Sequence, residues 1–259
     1  MSSNKLKEEY IEKVRHYYNI LSNEHFIDSP SVDSFKDTIR IFRQTDKPEV
    51  WIFKTNPKKP LIIKTTSHQV ITEIEISFDI EAIVNEVRRD EFKTRFNKYN
   101  IQIKMWSNKA PFCFREEYDS EQMKEKIQGN NNRRVMLRFH FDKRTKDTDP
   151  ELFYHFHVGG DQEIDEFFWI PQQVDIPRIP HPPMDPLLIL EMVLQNFYKK
   201  DRSTKKIYDI LMDPDWRTAV CKSQRIFQMR YFEKCCEFLA KPEKTLIEHA
   251  REFRVKAKN

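Results

Sequence analysis

Apolar positions along this chain switch between two spacings, and each switch predicts a change of element. Leu6, Tyr10, Val14, Tyr17 and Leu21 recur every three or four residues, so residues 3–22 read as an amphipathic helix. A second helix is expected around Val32–Phe42, with Ser31 as its cap. The period then falls to two. VWIFK (50–54), PLIIKT (60–65) and VITEIEISFDI (70–80) read as strands, followed by a return to helical spacing over 80–97 through Ile83, Val87, Phe92 and Phe96. NIQIKMW (100–106), VMLRFHF (135–141) and LFYHFHV (152–158) are further strands. From Asp185 onward the pattern is helical, over roughly 186–200, 203–212, 214–240 and 243–255. Asp185-Pro186 and Asp213-Pro214 each set a capping side chain before a proline at the first helical position.

The expected fold is α+β: about six mostly antiparallel strands within residues 50–158, packed with an N-terminal helix and a C-terminal helical bundle. Residues 1–259 are taken as one domain. Its sub-regions are helical (1–45), sheet with one inserted helix (46–170) and helical again (185–259).

Alternation also sorts the polar residues. If Leu137, Phe139 and Phe141 face the core, then Arg138, His140 and Asp142 face the other way. The same logic sets His155 and His157 opposite Tyr154 and Phe156. Glu73, Glu75 and Asp79 fall opposite Ile74, Ile76 and Phe78, and Lys104 opposite Ile101 and Ile103. One sheet face thereby collects imidazoles, a guanidinium, an ammonium and carboxylates. Imidazoles titrate near neutrality and serve as acid, base or metal ligand, while Arg and Lys hold charge developing on a phosphoryl group. The same alternation also describes a sheet with one hydrated face.

Two of three glycines, Gly159 and Gly160, follow this histidine strand, and Asp161, Glu163, Asp165 and Glu166 come next. A divalent metal held by His155, His157 and Asp161 is one expectation; a glycine turn with a solvated acidic loop is the other. No HExxH, paired CxxC, phosphate-cradling glycine loop or Gly-x-Ser-x-Gly elbow occurs. Arg134 and His140 have the spacing of a ribonuclease Arg-x-His motif that requires a helix, but they sit in a strand pattern. Six of fourteen prolines fall between Pro171 and Pro186, stiffening a connector that carries Arg178 and His181. Glu191, in the apolar run PLLILEMVLQNFY, needs a partner, and Arg178 or a basic residue of the last helices is the expected one.

Charge divides unevenly along the chain. Residues 199–259 hold 16 Lys and Arg against 9 Asp and Glu, whereas residues 145–198 hold 2 against 10. The flanks, not the middle, suit a polyanion. The opening MSSNKLKEEYIEK has no apolar core and predicts no secretory signal, and no apolar run reaches membrane-spanning length. Four cysteines without a CxxC fit free thiols in a reducing cytoplasm.

HFHV, PRIPHPP and LILEMVLQNFY, all within residues 153–198, resemble an uncharacterised bacterial domain family. Its members carry a histidine-rich strand, a short connector with Arg and prolines, and an apolar helix ending in Phe-Tyr. The resemblance implies a toxin-like or phage-defence setting near nucleic acid. Two functions are therefore expected. One is a histidine-dependent phosphodiesterase or nuclease using His155, His157, His140, Arg138 and Arg178. The other is a noncatalytic subunit of a multiprotein defence complex that docks a partner protein through its polar face and basic helices.

Overall fold

In the computed structural model, strict alternation over residues 73–84 and 99–105 builds two long central strands whose apolar rows define the core. The structure describes residues 3–27, 29–43, 45, 47–65, 71–88, 91–107, 134–143, 154–158, 179–197 and 205–239. Chain order is α1 (Ser3–Asn23), α2 (Ser29–Arg43), β1 (Val50–Lys54), β2 (Leu61–Lys64), β3 (Glu73–Arg88), β4 (Glu91–Ser107), β5 (Arg134–Lys143), β6 (Tyr154–Val158) and β7 (Ile179–Pro180). Four helices follow: α3 (Pro186–Phe197), α4 (Lys205–Met212), α5 (Pro214–Phe227) and α6 (Met229–Leu239). The strands form one antiparallel sheet in the order β1-β3-β4-β5-β6-β7, with β2 pairing β3 beyond the end of β1. The α+β expectation holds. The predicted helix at 243–255 lies outside the described residues.

Ile74, Ile76, Phe78 and Ile80 of β3 and Tyr99, Ile101, Ile103 and Met105 of β4 are buried in a cluster that also takes in α1, α2 and the C-terminal helices. Each such side chain contributes roughly 1.5–3 kcal/mol by leaving water. α3 is apolar nearly all round and buries Leu187 to Leu190, Val193 and Leu194, as its composition required.

Residues 80–97 are not a helix. β3 runs on to Arg88, which pairs with Glu91, and β4 returns antiparallel along it. The register shifts between Glu81 and Ala82, which pair with Lys98 and Phe96 and so leave Asn97 as a bulge. The bulge keeps Phe92, Thr94 and Phe96 on the same buried side as Tyr99 and Ile101. Phe92, Phe96 and Tyr99 thereby acquire spacings of four and three that imitate a helix. The α2 boundary also differs. The helix begins at Ser29, with Pro30 in its first turn, and Ser31 lies inside it. The Ser31 hydroxyl accepts from the Ile62 N–H at 2.8 Å rather than capping its own helix.

Exposed edges of a sheet invite pairing with other chains unless they are covered. Here α2 covers the β1–β2 edge. Thr38 Oγ1 donates to the Lys54 carbonyl at 3.2 Å, Ser34 Oγ to that of Lys59, and Ser31 serves Ile62. β2 is covered further by a bond from the Lys64 N–H to the Phe26 carbonyl at 2.8 Å.

The described end of the proline connector, from residue 179 on, is held by backbone bonds. β7 pairs with β6, Pro180 opposite His155, at the far edge where a missing N–H is tolerated. His181 N–H donates to the Tyr154 carbonyl at 3.0 Å, and Met184 N–H to the Tyr99 hydroxyl at 2.7 Å. Asp185 then caps α3 by accepting from the Leu188 N–H at 2.8 Å, and Asp213 caps α5 through Asp215 and Trp216. The helix expected over 214–240 is broken at Gln228, whose side chain reaches back to the Pro183 carbonyl at 3.1 Å. No helix among the described residues is long and apolar enough to cross a membrane.

Candidate functional site

All described helices that touch the sheet lie against its apolar face, and the opposite face carries the polar rows. Antiparallel register orders them. Glu75, Lys104 and Arg138 align across β3, β4 and β5; Ser77, Gln102, His140 and His157 form the next row; Asp79, Asn100, Asp142 and His155 form the third. Cross-strand partners share a face, so the residues that alternation had grouped are neighbours in the sheet.

Side-chain bonds tie the rows together diagonally. Arg138, 7% exposed, directs its guanidinium to Gln102, whose amide oxygen, turned toward it, accepts from Nε at 3.3 Å and from a terminal nitrogen. His140 Nε2 meets Asn100 Oδ1 at 3.1 Å. With that acceptor in place, Nε2 carries the proton. His155 pairs through Nε2 with the Asp142 carboxylate. This contact sets the His155 ring beside the carboxylate in the third row. Lys104 lies 4.0 Å from Glu75, which also accepts from the Trp106 indole at 3.0 Å.

Burial separates the two imidazoles. His155 is 7% exposed, whereas His140 and Asp142 are partly open to solvent. Proton exchange with a ligand therefore falls more naturally to His140, with the buried His155 beside Asp142 in the neighbouring row. His157 is the cross-strand partner of His140 by backbone register, and its backbone alone is described. Arg178 and Asp161 lie outside the described residues. Of the metal-ligand set His155, His157 and Asp161, only His155 has a described side chain, and its Nε2 is engaged by Asp142. Among the described residues no three His, Cys, Asp or Glu side chains gather as metal ligands.

Asp142, Asn100 and Gln102 were not singled out from the sequence as site residues. The signal for Asp142 was its parity with Arg138 and His140. For the two amides it was parity with Lys104. His181 goes elsewhere: its ring packs 5.2 Å from Phe141 on the apolar side and bonds the Pro182 carbonyl, and burial pushes its pKa down.

Two acids of the helical layer are structural. Asp185 is fully buried and accepts from the Tyr10 hydroxyl at 2.5 Å, from Ser223 and from Leu188. Burial pushes its carboxyl above the usual range, and those bonds pull partly back. Arg178 lies outside the described residues, and among them Glu191 takes no basic partner. The Trp216 indole and the Gln195 amide satisfy it, while partial burial raises its pKa. A neutral donor suffices where a charged one had been expected. Cys221, Cys235 and Cys236 are free thiols.

Comparison of this chain with protein-family models, with curated proteins and with solved structures returned no match.

Proposed function

We propose that this chain is a cytoplasmic protein of a bacterial defence or toxin-type system, acting on nucleic acid as a histidine-dependent phosphodiesterase. One observation carries the reading: the β5–β6 register that sets His140 opposite His157 and Asp142 opposite His155, one row from Arg138. His140 exchanges the proton with substrate. The His155–Asp142 pair supports it, and Arg138 with Lys104 offsets charge gathering on the phosphoryl oxygens. His157 and Arg178 join this set by sequence position. A divalent metal, if one is used, is held by His155, His157 and Asp161. The likeness of residues 153–198 to a toxin-like or phage-defence domain supports the setting.

The test is cleavage of end-labelled RNA and DNA oligonucleotides, with and without Mg²⁺ or Mn²⁺. His140→Ala and His155→Ala are each expected to lower the rate by about 10²- to 10⁴-fold, the usual worth of a positioned acid or base. Asp142→Asn, which keeps the shape and removes the charge, is expected to fall in the same range. Undiminished cleavage in a His140→Ala/His155→Ala variant that folds normally overturns the assignment, as does the absence of cleavage on every substrate.

A separate observation favours a second reading, a noncatalytic subunit of a defence complex. Tyr208 and Met212 on α4, and Met229 and Phe232 on α6, are each about half exposed. Large apolar side chains left in water commonly mark a docking surface when they are contiguous. Stable co-purification of a partner that is lost in Met212→Lys/Phe232→Lys supports this alternative.

A further inference from the structure

β3 and β4 outrun their neighbours. β1 pairs with β3 no further than Ile83, and β5 pairs with β4 no further than Asn100. Beyond those points, among the described strands, Val84–Arg88 and Glu91–Phe96 pair with each other as a two-stranded ribbon, and the Val84 N–H also donates to the Glu49 carbonyl at 2.8 Å. One side of the ribbon is anchored. Val84, Phe92, Thr94 and Phe96 are buried, Thr94 bonds the Ile226 carbonyl, and the Phe96 ring lies 5.9 Å from Phe227. The other side carries Asn85, Val87, Lys93 and Arg95, all exposed.

Register decides where that exposed side leads. Ile83 pairs with Arg95 and Asn85 with Lys93, and these β3 positions share the parity of Asp79, Ser77 and Glu75. The Asn97 bulge thus returns Lys93 and Arg95 to the face that carries Gln102, His140 and Arg138. Acids along the way are already answered: Asp79 by Lys98 at 2.5 Å, Glu81 by the Asn97 amide at 2.9 Å and Glu91 by Arg88 at 3.9 Å. The side chains of Lys93 and Arg95 make no ion pair or hydrogen bond among the described residues. From Arg95 to Gln102 is seven residues of strand, on the order of 20 Å.

We infer that Lys93 and Arg95 form a backbone-binding track for a single-stranded polynucleotide, delivering it along the sheet face to Arg138 and His140. The inference rests on the phosphodiesterase reading and narrows its substrate to a polymer. A mononucleotide or a small diester cannot span a gap of that length, and a strand several nucleotides long can. Arg138 and His140 sit at least partly below the surface. A flexible single strand can bend into such a site, whereas a stiff duplex would bridge over it.

The experiment measures binding of fluorescein-labelled single-stranded RNA and DNA, 4 and about 20 nucleotides long, by anisotropy across a salt series. Hydrolysis of bis(p-nitrophenyl) phosphate is followed in parallel. Lys93→Glu/Arg95→Glu is expected to weaken binding of the long strand at least tenfold and to reduce the salt slope by roughly 1.4, two phosphate contacts at about 0.7 each. Lys93→Gln/Arg95→Gln is expected to fall between this variant and the parent. Hydrolysis of the small diester is expected to stay unchanged in both. Long strands bound as tightly by the double variant as by the parent overturn the track, as does equal affinity for short and long strands. Track-dependent binding without cleavage of any substrate leaves the track standing and removes the catalytic reading. Hydrolysis that proceeds while binding ignores residues 93 and 95 does the reverse. Comparing the RNA and DNA arms identifies the natural polymer.

Discussion

Asp185 shows at the scale of one residue how a fully buried charge-bearing group is made tolerable. Its carboxyl caps α3 and collects the hydroxyls of Tyr10 from α1 and Ser223 from α5, so three helices meet on one side chain. Asp185→Ala is expected to destabilise the fold by about 3–7 kcal/mol, because a lost cap costs about 1 and the two orphaned buried hydroxyls about 1–3 each. Urea unfolding measures this. Burial raises the carboxyl's pKa in the folded state above its unfolded value, which is near 3.9. Its stabilising contribution is therefore complete below that unfolded value and declines as pH rises through the folded one, by up to about 1.4 kcal/mol per pH unit. Asp185→Asn, which retains an acceptor for Leu188, is expected to flatten this part of the pH profile. A parent-minus-Asn difference that does not change with pH would refute the argument. The capping role was legible in the Asp-Pro pair. The hydroxyls were not, because Tyr10 and Ser223 are 175 and 38 residues away along the chain.

At the scale of elements, α2 and the β1–β2 edge form a unit joined by hydroxyls as well as by apolar packing. Ser31→Ala/Thr38→Val leaves the Ile62 N–H and the Lys54 carbonyl without these partners. The expected loss is about 2–6 kcal/mol, since each of the two partly buried groups left unsatisfied costs about 1–3. Amide exchange at Ile62 is expected to quicken more than exchange at the interior positions of β3 and β4. Unchanged protection at Ile62 would show that the helix does not guard this edge. Elements were legible where one spacing ran without interruption, as in α1, β1, β5 and α3. Reading failed at residues 80–97, because a bulge at Asn97 shifts the alternation by one and makes two strand rows mimic a helical stripe. The turn between β3 and β4 also lacks the glycine or asparagine that usually marks a hairpin. The candidate site was legible in part, since parity alone sorts Arg138, His140, His155 and His157 to one face. Parity is silent about register. The pairing of Asp142 with His155 and the contact of Asn100 with His140 depend on register.

Among the described residues the molecule is one-sided, with helices on the apolar face of the sheet and ionisable side chains on the other. Its core is correspondingly rich in phenols. Tyr10 and Tyr18 from α1 and Tyr99 from β4 are buried, and desolvation pushes each of them well above the ordinary tyrosine pKa. An unfolded tyrosine ionises near pH 10. The stability these groups contribute is thus complete below about pH 10 and is lost as pH climbs toward their folded values, at up to about 4 kcal/mol per pH unit for three protons. Because the three phenols draw α1, β4 and the start of α3 into one core, they are expected to titrate together and only as that core opens. Phenolate absorbance from these residues should then rise in the same narrow pH interval in which the far-ultraviolet circular dichroism collapses. The three are not equivalent. The Tyr10 hydroxyl is spent on Asp185, and that of Tyr99 receives the Met184 N–H, but the Tyr18 hydroxyl has no hydrogen-bond partner among the described residues. Tyr18→Phe removes a buried polar group that gains nothing from folding. It is expected to raise stability by about 1 kcal/mol and to move the alkaline midpoint upward. Tyr10→Phe strips a donor from Asp185 and is expected to lower stability at neutral pH. Equal effects from the two substitutions would mean that partner bonds, and not burial alone, had been misjudged as the difference between them.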